Sequence, residues 1–382
     1  MSHLSRVLLL TPTLCIFLSK APILCLAADY SVHCESWPEA DQLFKQDSRW
    51  RGADAANSID LGGGRILWTF GDAFVDINED PSLRHRRTAK FIRNSIAIQK
   101  GYDPTTATFQ PYWQEDEAGK PSSFFRSEGD VFYWPGGGLV LDDKLLVYLM
   151  RIRNSDAKLG FSVVGWGAVL VDNPQEDPSN WHMTFIATPQ NSLRVIVGSG
   201  SSLRRENWIY SFGSDRTTSH GLYLTRLPVA DALAADFSTL QWWNEAEDSW
   251  TNQDEIDVLS LKPTLDDGQT EFTVHYEPII ESFLLTQFTS FPRSPIAVRN
   301  AQKLTGPWSL PRNVFTPEEA DPTRKGTMTY AAKVHPEQAA DGLAVTYCTN
   351  ASNPGIVVED ESLYYPRFLR FVIESIKTTP EQ

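Results

Sequence analysis

The chain has 382 residues, of which 41% are hydrophobic and 21% charged. That is enough apolar mass for a large packed core and too little charge for a disordered polymer. The 48 acidic residues outnumber the 34 basic ones, for a net charge of −14, which argues against a nucleic-acid backbone or an anionic membrane as the main partner.

The first element is an export signal. Arg6 precedes an apolar run from Val7 to Leu18, and after Lys20 a second run from Ala21 to Ala28 ends in small residues. This reads as a secretory signal cut near Ala27, which predicts a secreted or periplasmic protein that has lost residues 1–27. The unbroken run is about twelve residues, short of the roughly 20 that span a bilayer, and no later segment is apolar enough to cross one. Residues 28–49 are expected to form an N-terminal segment, 50–375 one domain and 376–382 a tail. Cys15 and Cys25 leave with the signal. Cys34 and Cys348 remain near the two ends of the mature chain, where export and a closed ring would let them pair. No CxxC or HExxH occurs, and the 7 His are scattered, so no zinc signature is present.

A unit then recurs: an apolar strand, a tight Gly or polar turn, and an aromatic-rich strand. The turns fall at Gly62 to Gly64, at Asp142-Asp143, around Arg205-Glu206, at Asp266 to Gly268 and at Asp341-Gly342. Gly, Asp and Asn tolerate the positive φ such hairpin turns need. A further strand is readable after each hairpin: Asn94 to Gln99, Gly165 to Val171, Gly221 to Leu227, Pro295 to Asn300 and Tyr365 to Ile373. Five hairpins at this spacing predict an all-β fold, a five-bladed β-propeller, with a pair of β-sandwiches as the alternative. The one clear helical stretch is Val229 to Leu240.

The first hairpin sets up the chemistry. Asp54 lies nine residues before Gly63 and Asp72 nine after it, so a short loop at Gly62 to Gly64 would oppose the two side chains on one face of the ladder. Opposed like charges are unfavourable unless they are solvated, paired with a cation or used. By the same count Trp134, Arg151, Arg153, Ser199, Asp215, His275, Glu277, Tyr330 and Asn350 gather at the same end of the ring. Paired carboxylates in an aromatic cleft suit glycoside hydrolysis, one acid protonating the leaving oxygen and the other attacking the sugar or activating water. Trp50, Trp134 and Tyr330 could stack on sugar faces, and Arg51 could hold one carboxylate ionised.

The stretch WRGADAANSIDLGGGRILWTFGDAF from Trp50 to Phe74, followed by RNSIAIQ from Arg93 to Gln99, resembles a bacterial family of secreted five-bladed propellers, formerly of unknown function, that includes endo-D-arabinanases. FYWPGGG from Phe132, LTGPWS from Leu304 and YAAKVHP from Tyr330 fit it as well, and are similar more loosely to arabinanase and levanase propellers. The likeness covers roughly residues 47–373. It implies that the aspartates of the GAD and FGD motifs, Asp54 and Asp72, are the catalytic pair. Asn94 is a further candidate for binding the sugar. The usual FGDT reads FGDA here, Ala73 replacing a hydroxyl. A third acid on a later blade is part of the looser pattern; Glu277 and Asp215 are its positional candidates, with Glu128 and Asp130 as further ones.

The expected activity is therefore a secreted glycoside hydrolase acting on a furanose-containing or other extracellular polysaccharide. The alternatives are a non-catalytic carbohydrate-binding propeller and a protein-interaction propeller. No cofactor is expected, although an acidic axis could hold Ca²⁺ through oxygen ligands. The expected partner is carbohydrate, not nucleic acid or membrane, for a monomeric protein. Asn350-Ala351-Ser352 is a glycosylation sequon, relevant only in a eukaryotic host.

Overall fold

The computed structural model describes residues 30–157, 159–216, 220–256, 261–321, 323–324, 326–338 and 342–376. The expected signal, residues 1–27, lies outside the described residues.

Among these residues the chain folds into five antiparallel sheets of four or five strands, with two small sheets beside them. The sheets begin with the strands Asn57–Gly62, Val131–Leu141, Ile196–Arg205, Thr273–Glu277 and Thr327–His335. Each first strand packs on the next, and the fifth returns to the first. The molecule is thus a ring of sheets, a β-propeller. Its core divides accordingly. One apolar cluster joins the first and second sheets, and others join the second to the third, the third to the fourth and the fourth to the fifth. An aromatic cluster of Phe44, Trp50, Trp68, Phe70, Phe109 and Phe368 closes the fifth onto the first.

The strands approach closely where side chains are absent. A Cβ on Gly136 would lie 2.4 Å from the Gly198 carbonyl oxygen, and one on Gly200 2.4 Å from the Phe272 ring. Only glycine lets those backbones meet at the narrow centre of the ring.

The ring closes through the N-terminal segment. Tyr30–Ser36 pairs with Arg367–Ser375 as the outer strand of the fifth sheet, so residues expected to precede the domain complete it. The expected disulfide does not form; Cys34 and Cys348 are both free. Cys34 opposes Phe371, which in turn opposes Leu343. Cys348 therefore sits two strands away and five residues further along. That is well over 10 Å at roughly 4.8 Å per strand and 3.3 Å per residue, beyond the reach of a disulfide.

The turns expected at Gly62 to Gly64, Asp142-Asp143 and Glu206 join paired strands. The fifth pair of strands also forms, with Asp341 of its turn outside the described residues. The fourth hairpin differs. The strand read before Asp266 does not form over residues 261–265, which make only one bridge, Leu265 to Leu222. Pro263 has no amide hydrogen for a central ladder there. The fourth pair is instead Thr273–Glu277 with Ser282–Phe288, turning between Glu277 and Ser282. The helix expected over Val229 to Leu240 stops after Val229–Leu233, and Ala235 takes a φ of 57° just beyond it.

Candidate active site

The first hairpin register, Asn57 opposite Thr69, runs on to Ala53 opposite Ala73. Asp54 and Asp72 stand across from each other between those pairs. The ladder opens there because Ala55 and Ala56 take φ of 70° and 49°. The Asp54 carbonyl accepts the amides of Ala56 at 3.0 Å and Gly71 at 3.1 Å. A Cβ on Gly71 would lie 2.5 Å from Asp54 Oδ1, so any larger residue there would displace that carboxyl group.

The two carboxyl groups have different partners. Tyr330 Oη donates to Asp54 Oδ2 at 2.7 Å, and Asn350 Nδ2 donates to that hydroxyl at 3.1 Å. Trp134 Nε1 donates to Asp72 Oδ1 at 2.9 Å, and Arg93 Nη1 reaches Asp72 Oδ2 at 3.4 Å. The Asp72 side chain remains 14% exposed. Burial, reinforced by the Asp72 and Glu271 charges, pushes Asp54 up to about 8 against the pull of Tyr330 and Lys333. Burial pushes Asp72 up to about 6, against the hydrogen bond from Trp134 and the charge of Arg93. Between those values Asp54 carries a proton and Asp72 a negative charge, the division of labour an acid–base pair needs.

Three further residues frame the pair, all missed as site residues at the sequence level. Lys333 Nζ donates to the Ala55 carbonyl at 2.7 Å and to Glu271 Oε1 at 2.9 Å, so it pins the turned backbone behind Asp54. The signal was a lone lysine in the apolar alternation of YAAKVHP, because a buried ammonium must be paired. Glu271 was hidden by the misread fourth hairpin. Arg93 stacks 4.3 Å above the Phe132 ring and donates to Asn154 Oδ1 at 2.9 Å. A pocket of about 330 Å³ adjoins Arg93, lined also by Ser127, Gly129, Asp130, Phe132, Arg153 and Asn154.

Of the sugar-binding candidates, Tyr330 and Trp134 reach this site, as carboxylate donors. The Trp134 ring packs edge-on against Phe161 with centroids 4.6 Å apart, so its indole orients Asp72. Trp50 is fully buried in the aromatic core, with its indole on Ser95 Oγ, and offers no face to a sugar. Arg51 pairs with Glu361 and not with either aspartate. Asn94 is buried and bonds the backbone of Phe125 and Tyr133. Ser199 is buried and accepts the Ser214 amide at 3.4 Å.

His275 and Glu277 pair with each other, Nε2 to Oε2 at 3.5 Å. The corrected fourth hairpin puts Glu277 at its turn, six residues or roughly 20 Å along the strand direction from Glu271. They lie at the opposite end of the ring from Asp54. Asp215 accepts the Gly221 amide at 3.2 Å in a turn of the third sheet. Glu128 and Asp130 are exposed and meet Arg151 and Arg153, at 3.7 and 2.7 Å.

No group of three or more His, Cys, Asp or Glu suited to a metal occurs among the described residues. Asp54, Asp72 and Glu271 are engaged by Tyr330, Trp134 with Arg93, and Lys333.

Solved structures resemble the chain at low identity, and the first of these shares its fold. A protein from Bacteroides ovatus ATCC 8483, provisionally described as a hydrolase, is 17% identical with a TM-score of 0.70, over 89% of this chain and 90% of that one. The catalytic domain of the Coprinopsis cinerea GH62 alpha-L-arabinofuranosidase is 12% identical, covering 91% and 98%, with a TM-score of 0.46. The endo-arabinase from Bacteroides thetaiotaomicron VPI-5482 is 10% identical, covering 86% and 95%, with a TM-score of 0.44. No curated protein matches the chain. Residues 39–373, nearly all of the propeller, match the family described as "Domain of unknown function (DUF5005)", and the chain belongs to that family.

Proposed function

We propose that this protein is a secreted glycoside hydrolase that cleaves an extracellular polysaccharide, with Asp54 and Asp72 as its catalytic pair. The reading is supported by the placement of Asp54 and Asp72 at opposed positions beside the first hairpin, near enough that the Asp72 charge helps to raise Asp54, with Tyr330 on one carboxyl and Trp134 and Arg93 on the other. Asp54 donates its proton to the leaving glycosidic oxygen. The Asp72 carboxylate attacks the anomeric carbon or takes a proton from the attacking water. Arg93 and Trp134 keep Asp72 ionised and oriented, while Lys333 and Tyr330 fix the backbone and carboxyl of Asp54.

The substrate we favour is a furanose-containing, arabinan-like glycan, on the resemblance of the GAD and FGD motifs to a family with endo-D-arabinanases. The test is product analysis after incubation with a panel of arabinans, galactans and xylans. Wild-type protein should release reducing ends from at least one of them, and Asp54→Asn and Asp72→Asn should release none. Retained activity in both variants overturns the assignment; retention of a polysaccharide without cleavage points to a binding propeller.

A further inference from the structure

We infer that Phe291 and Phe91 are sugar-stacking platforms on opposite sides of the Asp54–Asp72 pair, so that the site takes a glycan chain long enough to rest on both. The inference rests on the proposed carbohydrate site and adds the residues that hold its substrate. Both rings are solvent-exposed, Phe291 by 48% and Phe91 by 41%, and each adjoins a residue that touches a catalytic carboxyl. The Phe291 ring lies 6.2 Å from that of Tyr330, whose hydroxyl bonds Asp54. Its loop is tied to the inner strand of the fifth sheet, where the Thr329 amide donates to the Pro292 carbonyl at 2.8 Å. The Phe91 ring packs 5.0 Å from Phe74 and sits 5.5 Å from the guanidinium of Arg93, which meets Asp72.

The ring order separates the two. Phe291 stands where the fourth sheet meets the fifth. Phe91 stands beside the first sheet, and its neighbour Arg93 stacks on Phe132 of the second. These two boundaries lie across the mouth from each other, with the carboxylates between. Each exposed ring lies next to a polar group that meets one of the two carboxyls, Tyr330 beside Phe291 and Arg93 beside Phe91. Beside a polar cleft the matching partner is a ring with an apolar C–H face and hydroxyl edges, which is a sugar.

The experiment separates this inference from catalysis. In the inactive Asp72→Asn background, migration is measured in native gels containing soluble arabinan, galactan or xylan, with and without Phe291→Ala or Phe91→Ala. Each alanine should weaken retardation about tenfold, and Phe291→Trp and Phe91→Trp should restore it. Thermal melts check that all variants fold. In the active protein the alanines should raise KM for polymer more than for a disaccharide analogue, with kcat nearly unchanged. Retardation and KM indifferent to both alanines overturn the platforms even if hydrolysis stands. Retardation lost on alanine substitution in a protein that cleaves nothing keeps the platforms and removes the hydrolase. A protein neither retarded by nor active on any of the three glycans overturns both.

Discussion

Asp54 and Glu277 are acids at opposite ends of the ring, and their surroundings shift them in opposite directions. Burial raises both. At Glu277 the neighbouring His275 and the hydrogen bond from the Ile279 amide outweigh it and hold the carboxyl below its usual range. At Asp54 burial is joined by two like charges, Asp72 and Glu271, and the donors present do not compensate. A buried acid is structural where donors win and becomes a proton carrier where acids are gathered together.

The sharpest way to break this comparison is to remove each acid in turn. Asp54→Asn and Asp72→Asn should each cut kcat by about 10³-fold or more, while Glu277→Gln leaves kcat within about twofold; equal losses at all three would dissolve the distinction. Next in size is the support behind Asp54. Lys333→Met strands the Glu271 charge and should cost about 3 kcal/mol in denaturant unfolding, with Lys333→Met/Glu271→Gln recovering much of it. A double variant no better than the single would deny the pairing.

The pH profile comes third. Activity should rise as Asp72 ionises near 6 and fall as Asp54 loses its proton near 8. Tyr330→Phe removes a bond that favours ionised Asp54 and should move only the alkaline limb, upward. Smallest is the linkage to stability. The Asp54 pKa is raised on folding, so its contribution is whole below the unfolded carboxylate range and is lost as pH rises through about 8. Asp54→Asn should therefore flatten the decline in unfolding free energy between pH 5 and 9; an unchanged slope would place the raised group elsewhere.

Much of this was legible in the sequence. The hairpins marked most of the ring, because glycine and aspartate turns between apolar strands have few other uses. The symmetric spacing of Asp54 and Asp72 about Gly63 survived into the ladder because the bulge at Leu61 sits within the hairpin end and leaves the outer register intact. The largest failure has one cause. Counting outward from a turn locates residues only if the turn is a hairpin, and the segment before Asp266 does not pair as a strand. That error carried His275 and Glu277 to the wrong end and hid Glu271. Trp50 and Arg51 lie close in sequence to Asp54, and Asn94 opens a motif read with the aspartates, but neither fact says which face of a strand meets the core. The strand Tyr30–Ser36 has too short a pattern to reveal a partner more than 300 residues away.

The most direct measurement is a carboxyl ¹³C NMR titration of protein labelled at aspartate, with Asp54→Asn and Asp72→Asn assigning the two resonances. The account predicts one carboxyl titrating near 8, lost in Asp54→Asn, and one near 6, lost in Asp72→Asn. Both groups titrating below 5 would mean that two ordinary carboxylates face each other, and the acid–base division would be wrong.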